Sequence, residues 1–187
     1  MSAKWQIIIT QKYGGLKMVS ISFVFSLIAT VLGLIEPFGK NMKTILLFNF
    51  MGNLLVGFSY FLIGNMSGAL ICFVAFVQVV INFIFDVKEH KIPCWLVVCY
   101  LMAFLSVNLL TFASWYDIFA LIASVLFVLS VAQSNAKFYR VLYFLNSTIW
   151  ILYDFFSKAY GNLFTHIVLF IASLISIAIR DKKKTVK

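Results

Sequence analysis

The 187-residue chain is 63% apolar and only 11% charged, with 21 Phe, 8 Tyr and 4 Trp. Soluble domains run near half apolar and a quarter charged, so this composition excludes a water-soluble globular protein and points to an all-α integral membrane protein. The formal net charge of +9 would suit a nucleic-acid binder, but Lys and Arg flank the apolar runs as the positive-inside rule requires, and no nucleic-acid partner is expected.

Residues 1–17 (MSAKWQIIITQKYGGLK) form a polar N-terminal extension with Lys4, Lys12 and Lys17. They are either an interfacial segment, with Trp5 and Tyr13 at headgroup level, or an extension upstream of a start at Met18. The run after Lys17 has no small-x-small cleavage site before Glu36, so it is predicted to be a span and not a removed signal peptide. Seven spans of near ~20 residues are predicted: about 18–35, closed by Glu36-Pro37, then 43–63, 66–85, 94–112, 116–132, 136–156 and 162–179. The polar DVKEHKIP stretch, 86–93, is the longest connection between them. Lys40, Lys43, Lys88, Lys91, Lys137, Arg140, Arg180, Lys182, Lys183, Lys184 and Lys187 fall on one side of these spans, and Lys4, Lys12, Lys17 and Lys158 on the other. This bias predicts a cytoplasmic C-terminus and an external N-terminus.

An internal repeat is also visible. Asn53 and Asn146, Tyr60 and Tyr153, and Gly68 and Gly161 are each separated by 93 positions. The offset maps spans one to three onto five to seven, and the single linker span between them keeps both copies in the same orientation. The expected architecture is therefore two parallel three-helix bundles, 18–86 and 116–180, joined by a connection and linker helix at 87–115 and followed by a basic tail, 181–187. Parallel repeats of this kind place a substrate site between the halves near the bilayer centre.

The segment Gln133-Ser134, Phe138-Tyr139-Arg140, Trp150-Ile151-Leu152-Tyr153-Asp154-Phe155 and Ala159-Tyr160-Gly161 resembles the C-terminal half of the bacterial inner-membrane YgjV-like family. The shared features are a basic connector, a W-x-x-[HY]-[ND] run and a Gly-containing turn into the last span. The 3+1+3 plan is similar to that of the SWEET, PQ-loop and PnuC transporters. That resemblance implies a SWEET-like fold in the bacterial cytoplasmic membrane. It does not carry a substrate site over: Glu36-Pro37-Phe38 and Ala132-Gln133 stand where a PQ-loop protein has Pro-Gln, the matched asparagines lie on the second helix of each bundle, and the PnuC Trp-rich signature is missing.

Asn53 and Asn146 are central in their spans, where an amide needs a partner. They are read either as glue between helices or as a pair of substrate-binding groups. Trp150, one turn from Asn146, is a packing residue or a stacking platform. Its repeat partner Gly57 would leave space opposite it. Tyr153 shares that face, and Gln78 is a further lining candidate. Asn49 and Asn108 are read as structural. Asp154 and Lys158, at i and i+4, suit an exposed ion pair. Asp154 and His166 are the candidate proton-linked residues. Cys72, Cys94 and Cys99 read as small buried hydrophobes. No nucleophile–base arrangement, metal cluster or cofactor motif can be assembled, so an enzyme is not expected, and no metal and no cofactor are predicted. The expected function is a transporter or facilitator of a small neutral or weakly cationic polar solute, such as a sugar, nucleoside or vitamin, working by alternating access. The partners are then that solute and the lipid bilayer, and homo-oligomers are compatible. The alternative is a non-transporting receptor or assembly protein with the same fold.

Overall fold

The computed structural model describes residues 3–181, with side chains described for 17–179. The side chains of Lys4, Trp5, Lys12, Tyr13, Arg180, Lys182, Lys183, Lys184 and Lys187, which entered the topology and interface expectations, lie outside the described residues. Among the described residues there are seven α-helices and no strand: α1 (Ala3–Ile35), α2 (Met42–Leu62), α3 (Met66–Val87), α4 (Cys94–Thr111), α5 (Asp117–Val131), α6 (Ala136–Ser157) and α7 (Tyr160–Ser176). A 3-10 turn, Glu36–Phe38, follows α1, and a π-turn, Ile177–Asp181, follows α7. The segment expected to be a separate N-terminal extension is, from Ala3, continuous with the first helix.

The helix boundaries follow from local chemistry. Asn41, Asn65 and Asn135 sit at the N-caps of α2, α3 and α6, and their side-chain oxygens accept from the backbone N–H groups of Thr44, Gly68 and Lys137, which satisfies donors the helix itself leaves open. Pro93 stands at the N-cap of α4. At the far end of α6, Lys158 adopts φ 59° and Ala159 N–H donates back to Asp154 O at 3.0 Å, so the chain reverses within two residues into α7.

Among the described residues five helical segments are long and apolar enough to cross a membrane: Lys17–Phe38, Met42–Leu62, Met66–Val87, Cys94–Thr111 and Tyr160–Ile179. The two other expected spans fall short for different reasons. α5 has 15 residues, which is ~22 Å of helix against a hydrocarbon core of ~30 Å. α6 has 22 residues, ~33 Å, but it is too polar. It buries Tyr139, Arg140, Tyr143, Asn146, Ser147, Tyr153 and Asp154 and exposes Phe138, Val141, Leu145, Leu152 and Phe155. A helix with its polar stripe inward and its apolar stripe outward fits a bundle interior surrounded by lipid.

α1, α2 and α3 pack together, as do α5, α6 and α7; the two groups meet through α1 against α7 and α3 against α5, and α4 lies on α3 and α5. Small hydroxyl residues make the first of these seams. Ser26 Oγ donates to Asn162 Oδ1 at 2.7 Å and lies 2.8 Å from Ser59 Oγ, and Thr30 Oγ1 donates to Thr165 Oγ1 at 2.8 Å. The second seam carries Asn82 Nδ2 donating to Val131 O at 3.1 Å, while Tyr100 of α4 donates to Asn82 Oδ1 at 3.1 Å. In an apolar solvent such seams are held by close packing and hydrogen bonds, because hydrophobicity no longer favours helix over lipid. Of the cysteines, Cys72 is buried as expected, but Cys94 and Cys99 are exposed on α4, beside Trp95, Val98 and Met102 on its outward face.

A Cβ at Gly68 would stand 2.9 Å from the Tyr60 ring, whereas one at Gly52 meets nothing within 4 Å. Gly68→Val is therefore expected to lower stability by ~1–3 kcal/mol through overpacking against a fully buried ring, and Gly52→Ala to leave it unchanged or higher. Thermal melting in detergent reads both; equal melting temperatures for the two variants would refute the close approach.

Candidate functional site

A partly enclosed cavity lies among α1–α7, with Phe104 as the lining residue from α4. The centres of water-sized spheres can occupy about 50 Å³ of it, room for a few waters at ~10–15 Å³ apiece. Asn53 of α2 and Asn146 and Trp150 of α6 all line it, so the three residues singled out at the helix centres do share one space. Their hydrogen bonds stay local. Asn53 Nδ2 donates to Asn49 O at 2.9 Å and to Asn49 Oδ1 at 2.8 Å, and Asn146 Nδ2 donates to Ala123 O of α5 at 2.6 Å. The pair is matched in position and not in partners.

Trp150 is buried as well as cavity-lining. Its ring stacks on His166 with centroids 5.5 Å apart and planes at 10°, and it lies 6.0 Å from Tyr60 and 5.3 Å from Tyr153. Packing and stacking are thus one role here. Gly57 does not open space opposite it: the α2 surface there is filled by Phe73 and Cys72 of α3, 3.0 and 3.2 Å from where a Cβ would stand. The residues of α2 that line the cavity are Asn49, Gly52, Asn53 and Val56, one turn nearer the helix start. Tyr153 is fully buried, and its hydroxyl donates to Asn65 Oδ1 at 2.8 Å, so it ties α6 to the cap of α3. Gln78 is buried on α3 with neither side-chain polar atom hydrogen-bonded, and it is not among the cavity-lining residues.

Asp154 is not in an exposed ion pair with Lys158. Its side chain is 0% exposed. Tyr60 donates to Asp154 Oδ1 at 2.5 Å, and His166 Nδ1 lies 2.6 Å from Asp154 Oδ2. Lys158 points away because it is the left-handed residue that ends α6. Asp154 and His166, paired in the sequence reading only by chemistry, are here in contact, with Tyr60 of the opposite bundle as a third member.

A second buried carboxyl was read in the sequence only as the close of the first span. Glu36 is 2% exposed. Tyr139 and Asn49 Nδ2 donate to its Oε1, the latter at 2.7 Å, and Tyr143 approaches Oε2 at 3.4 Å. Asn49, expected to be structural, thereby holds a charged-type group as well as Asn53. One signal in the sequence marks this set: Tyr139, Tyr143, Asn146, Trp150 and Tyr153 recur at i, i+4, i+7, i+11 and i+14, one polar–aromatic face of a helix. Tyr139, which contacts Glu36, and Asp154 are 15 residues apart on α6, ~22 Å along the axis, so the two carboxyl clusters lie toward opposite ends of the helix.

Beyond the Glu36 end lies an open basin lined by Lys40, Lys43, Lys91, Lys137 and Arg140, with Asp86 and Glu89. Beyond the Asp154 end lies another, lined by Asn65, Asp117, Lys158 and Asn162 among others. Basic side chains assigned to one side from the sequence are thus gathered at one end of the bundle, and Lys158 stands at the other.

These features define a multi-pass helical membrane protein with a mainly apolar central cavity, into which a few amide and carboxyl groups are set, and two buried carboxyl clusters. The chain belongs to the Imp-YgjV family of bacterial inner membrane proteins, whose model matches residues 20–184, a wider stretch than the C-terminal motifs that first suggested it. No curated protein and no solved structure matches the chain.

Tyr60→Phe keeps the ring and removes the donor to Asp154. Leaving that buried carboxyl short of one partner is expected to cost ~1–3 kcal/mol, read as a lower melting temperature in detergent. A variant that melts with the wild type would show that the Tyr60–Asp154 contact contributes nothing to stability.

Proposed function

We propose that the protein is a transporter or facilitator of a small neutral or weakly cationic polar solute across the bacterial inner membrane, by alternating access between α1–α3 and α5–α7 with α4 as linker. In this reading all seven helices span the membrane, α5 and α6 inside the assembly. The observation that carries the reading is the pair of buried contacts that cross between the bundles on either side of the cavity. Glu36 of the first half is held by Tyr139 and Tyr143 of the second, and Asp154 of the second by Tyr60 of the first. Releasing one contact and keeping the other would open the cavity to one side only. The pairing of seams supports the same view. Under the 93-residue repeat α1 maps to α5 and α3 to α7, so the α1–α7 seam maps onto the α5–α3 seam, as expected of two repeats related by an axis along the membrane normal.

The cavity holds only a few waters, so a sugar-sized solute requires the halves to separate. An alternating-access cycle would pass through a state of this kind between its two open forms. No Lys or Arg lines the cavity, which disfavours an anionic solute. Asp154 and His166 would be the proton-linked pair, with Tyr60 reporting their state to the opposite bundle. The basin rich in Lys and Arg faces the cytoplasm in this reading, by the positive-inside rule. The chain would act without metal, cofactor or chemistry on its solute. The alternative, a non-transporting receptor or assembly protein, would keep both crossing contacts closed permanently.

Two experiments test this. Radiolabelled sugars, nucleosides and vitamins presented to proteoliposomes should show uptake or exchange of at least one class, and folded protein that moves none of them would count for the non-transporting alternative. A topology reporter after Lys187 should read cytoplasmic and one at Asn65 external; the reverse pattern would overturn the orientation.

A further inference from the structure

The two buried carboxyl groups are not equivalent. Asp154 has an imidazole against it, at 2.6 Å, so a positive charge is available within its own cluster. Glu36 has only neutral donors: two tyrosine hydroxyls and an asparagine amide. Among the described residues no cation is paired with it. Its two oxygens are also unequally occupied. Oε1 accepts from both Tyr139 and Asn49, while Oε2 has only the long 3.4 Å approach of Tyr143. A buried carboxylate with unfilled acceptor capacity and no counter-charge is costly, and this one is in the wall of the cavity.

The cavity walls also carry aromatic rings. Tyr143 lines the cavity, with one ring face covered by Tyr139 at 5.4 Å and 19°. Phe104 and Phe127, edge to face at 6.3 Å, line it too. Trp150 is less available, since His166 stacks on one of its faces and the Tyr60 and Tyr153 rings also pack against it. A carboxylate beside aromatic rings in a site with no competing Lys or Arg is the chemistry that binds alkylammonium groups, by charge pairing and cation–π attraction. The amides Asn53 and Asn146 in the same wall supply groups for a hydroxyl or carbonyl carried elsewhere on such a solute.

We propose that the central cavity is a site for a small organic ammonium ion, with Glu36 as its counter-charge and the Tyr143 ring beside it as its cation–π partner. The inference rests on the reading of this cavity as a solute site and moves its solute class from neutral or weakly cationic to fully cationic. Binding also breaks the symmetry of the two ends. The ammonium competes with Tyr139 and Tyr143 for Glu36, so occupancy loosens the contact that closes the cavity toward the basic basin and leaves the Tyr60–Asp154 contact in place.

Isothermal titration of the purified full chain in detergent tests it, with choline and tetramethylammonium as probes and 3,3-dimethyl-1-butanol as the uncharged carbon isostere of choline. Choline is expected to bind at least about tenfold more tightly than the isostere. Glu36→Gln should reduce choline to the level of the isostere and leave the isostere unchanged, and Tyr143→Leu should weaken choline by about tenfold. If Glu36→Gln does not fold, the comparison of charged and uncharged probes on the wild type decides alone. Equal affinity for choline and its isostere, the result expected if a proton occupies Glu36, overturns the proposal, as does a Glu36→Gln variant that keeps choline affinity or a wild type that binds neither cation at millimolar concentration. Choline binding without transport in proteoliposomes would sustain this inference and remove the transport reading. Transport of neutral solutes undiminished by Glu36→Gln would do the reverse.

Discussion

Two carboxyl groups held inside an apolar bundle by tyrosine hydroxyls are the constraint on which the arrangement of the helices depends. In water Glu36 and Asp154 would be solvated wherever they fell. With lipid outside, their partners have to come from neighbouring helices, and the cost of missing one is that of a buried polar group without its hydrogen bond. Each carboxyl draws its tyrosine from the opposite three-helix group: Tyr139 and Tyr143 come to Glu36, and Tyr60 comes to Asp154. The rotation of α6 about its own axis follows. Only one face of that helix carries tyrosines, the amide of Asn146 and Asp154, and that face is turned inward.

The rest of the interior is arranged around the same need. Serines and threonines on α1 and α7 let two backbones approach and hydrogen-bond across the seam, a packing mode that works in lipid because it does not rely on excluding water. The cap residue Asn65 accepts both from Gly68 N–H, which starts α3, and from Tyr153, which anchors the far end of α6. One side chain therefore fixes a local helix boundary and a contact between the halves. Gly68 admits the Tyr60 ring that reaches Asp154, so a glycine in one helix is coupled to a carboxyl in another through a single aromatic residue. The cavity remains because its lining residues are either small, as with Gly52, Ala29 and Ala75, or engaged with partners elsewhere, as with Trp150 on His166.

Length and composition were enough to read a multi-pass helical membrane protein. The ends of the helices also came out within a few residues, except the start of α1, which was expected at Met18 and lies at Ala3. The central position of Asn53 and Asn146, and their place in a common cavity with Trp150, followed from a repeat that helical geometry converts directly into depth. The family was legible from a motif on α6 and α7. Three matters were not decided by the sequence. Lys158 is four residues from Asp154 and looks like its ion-pair partner, but the left-handed turn that ends α6 turns it away, and a histidine twelve residues on takes the place. Glu36 next to a proline reads as the close of a span, and only the tertiary structure, which brings Tyr139 and Tyr143 of α6 and Asn49 of α2 to it, shows that three residues converge on it. Gly57 lies opposite Trp150 in the repeat but packs on Phe73 and Cys72, since the rotation of α2 is set by α3. Periodicity along one helix reports which residues share a face and how deep they lie; which neighbour that face meets is a property of helix rotation and seam packing, and in lipid these are settled by hydrogen bonds between residues as far as 139 positions apart.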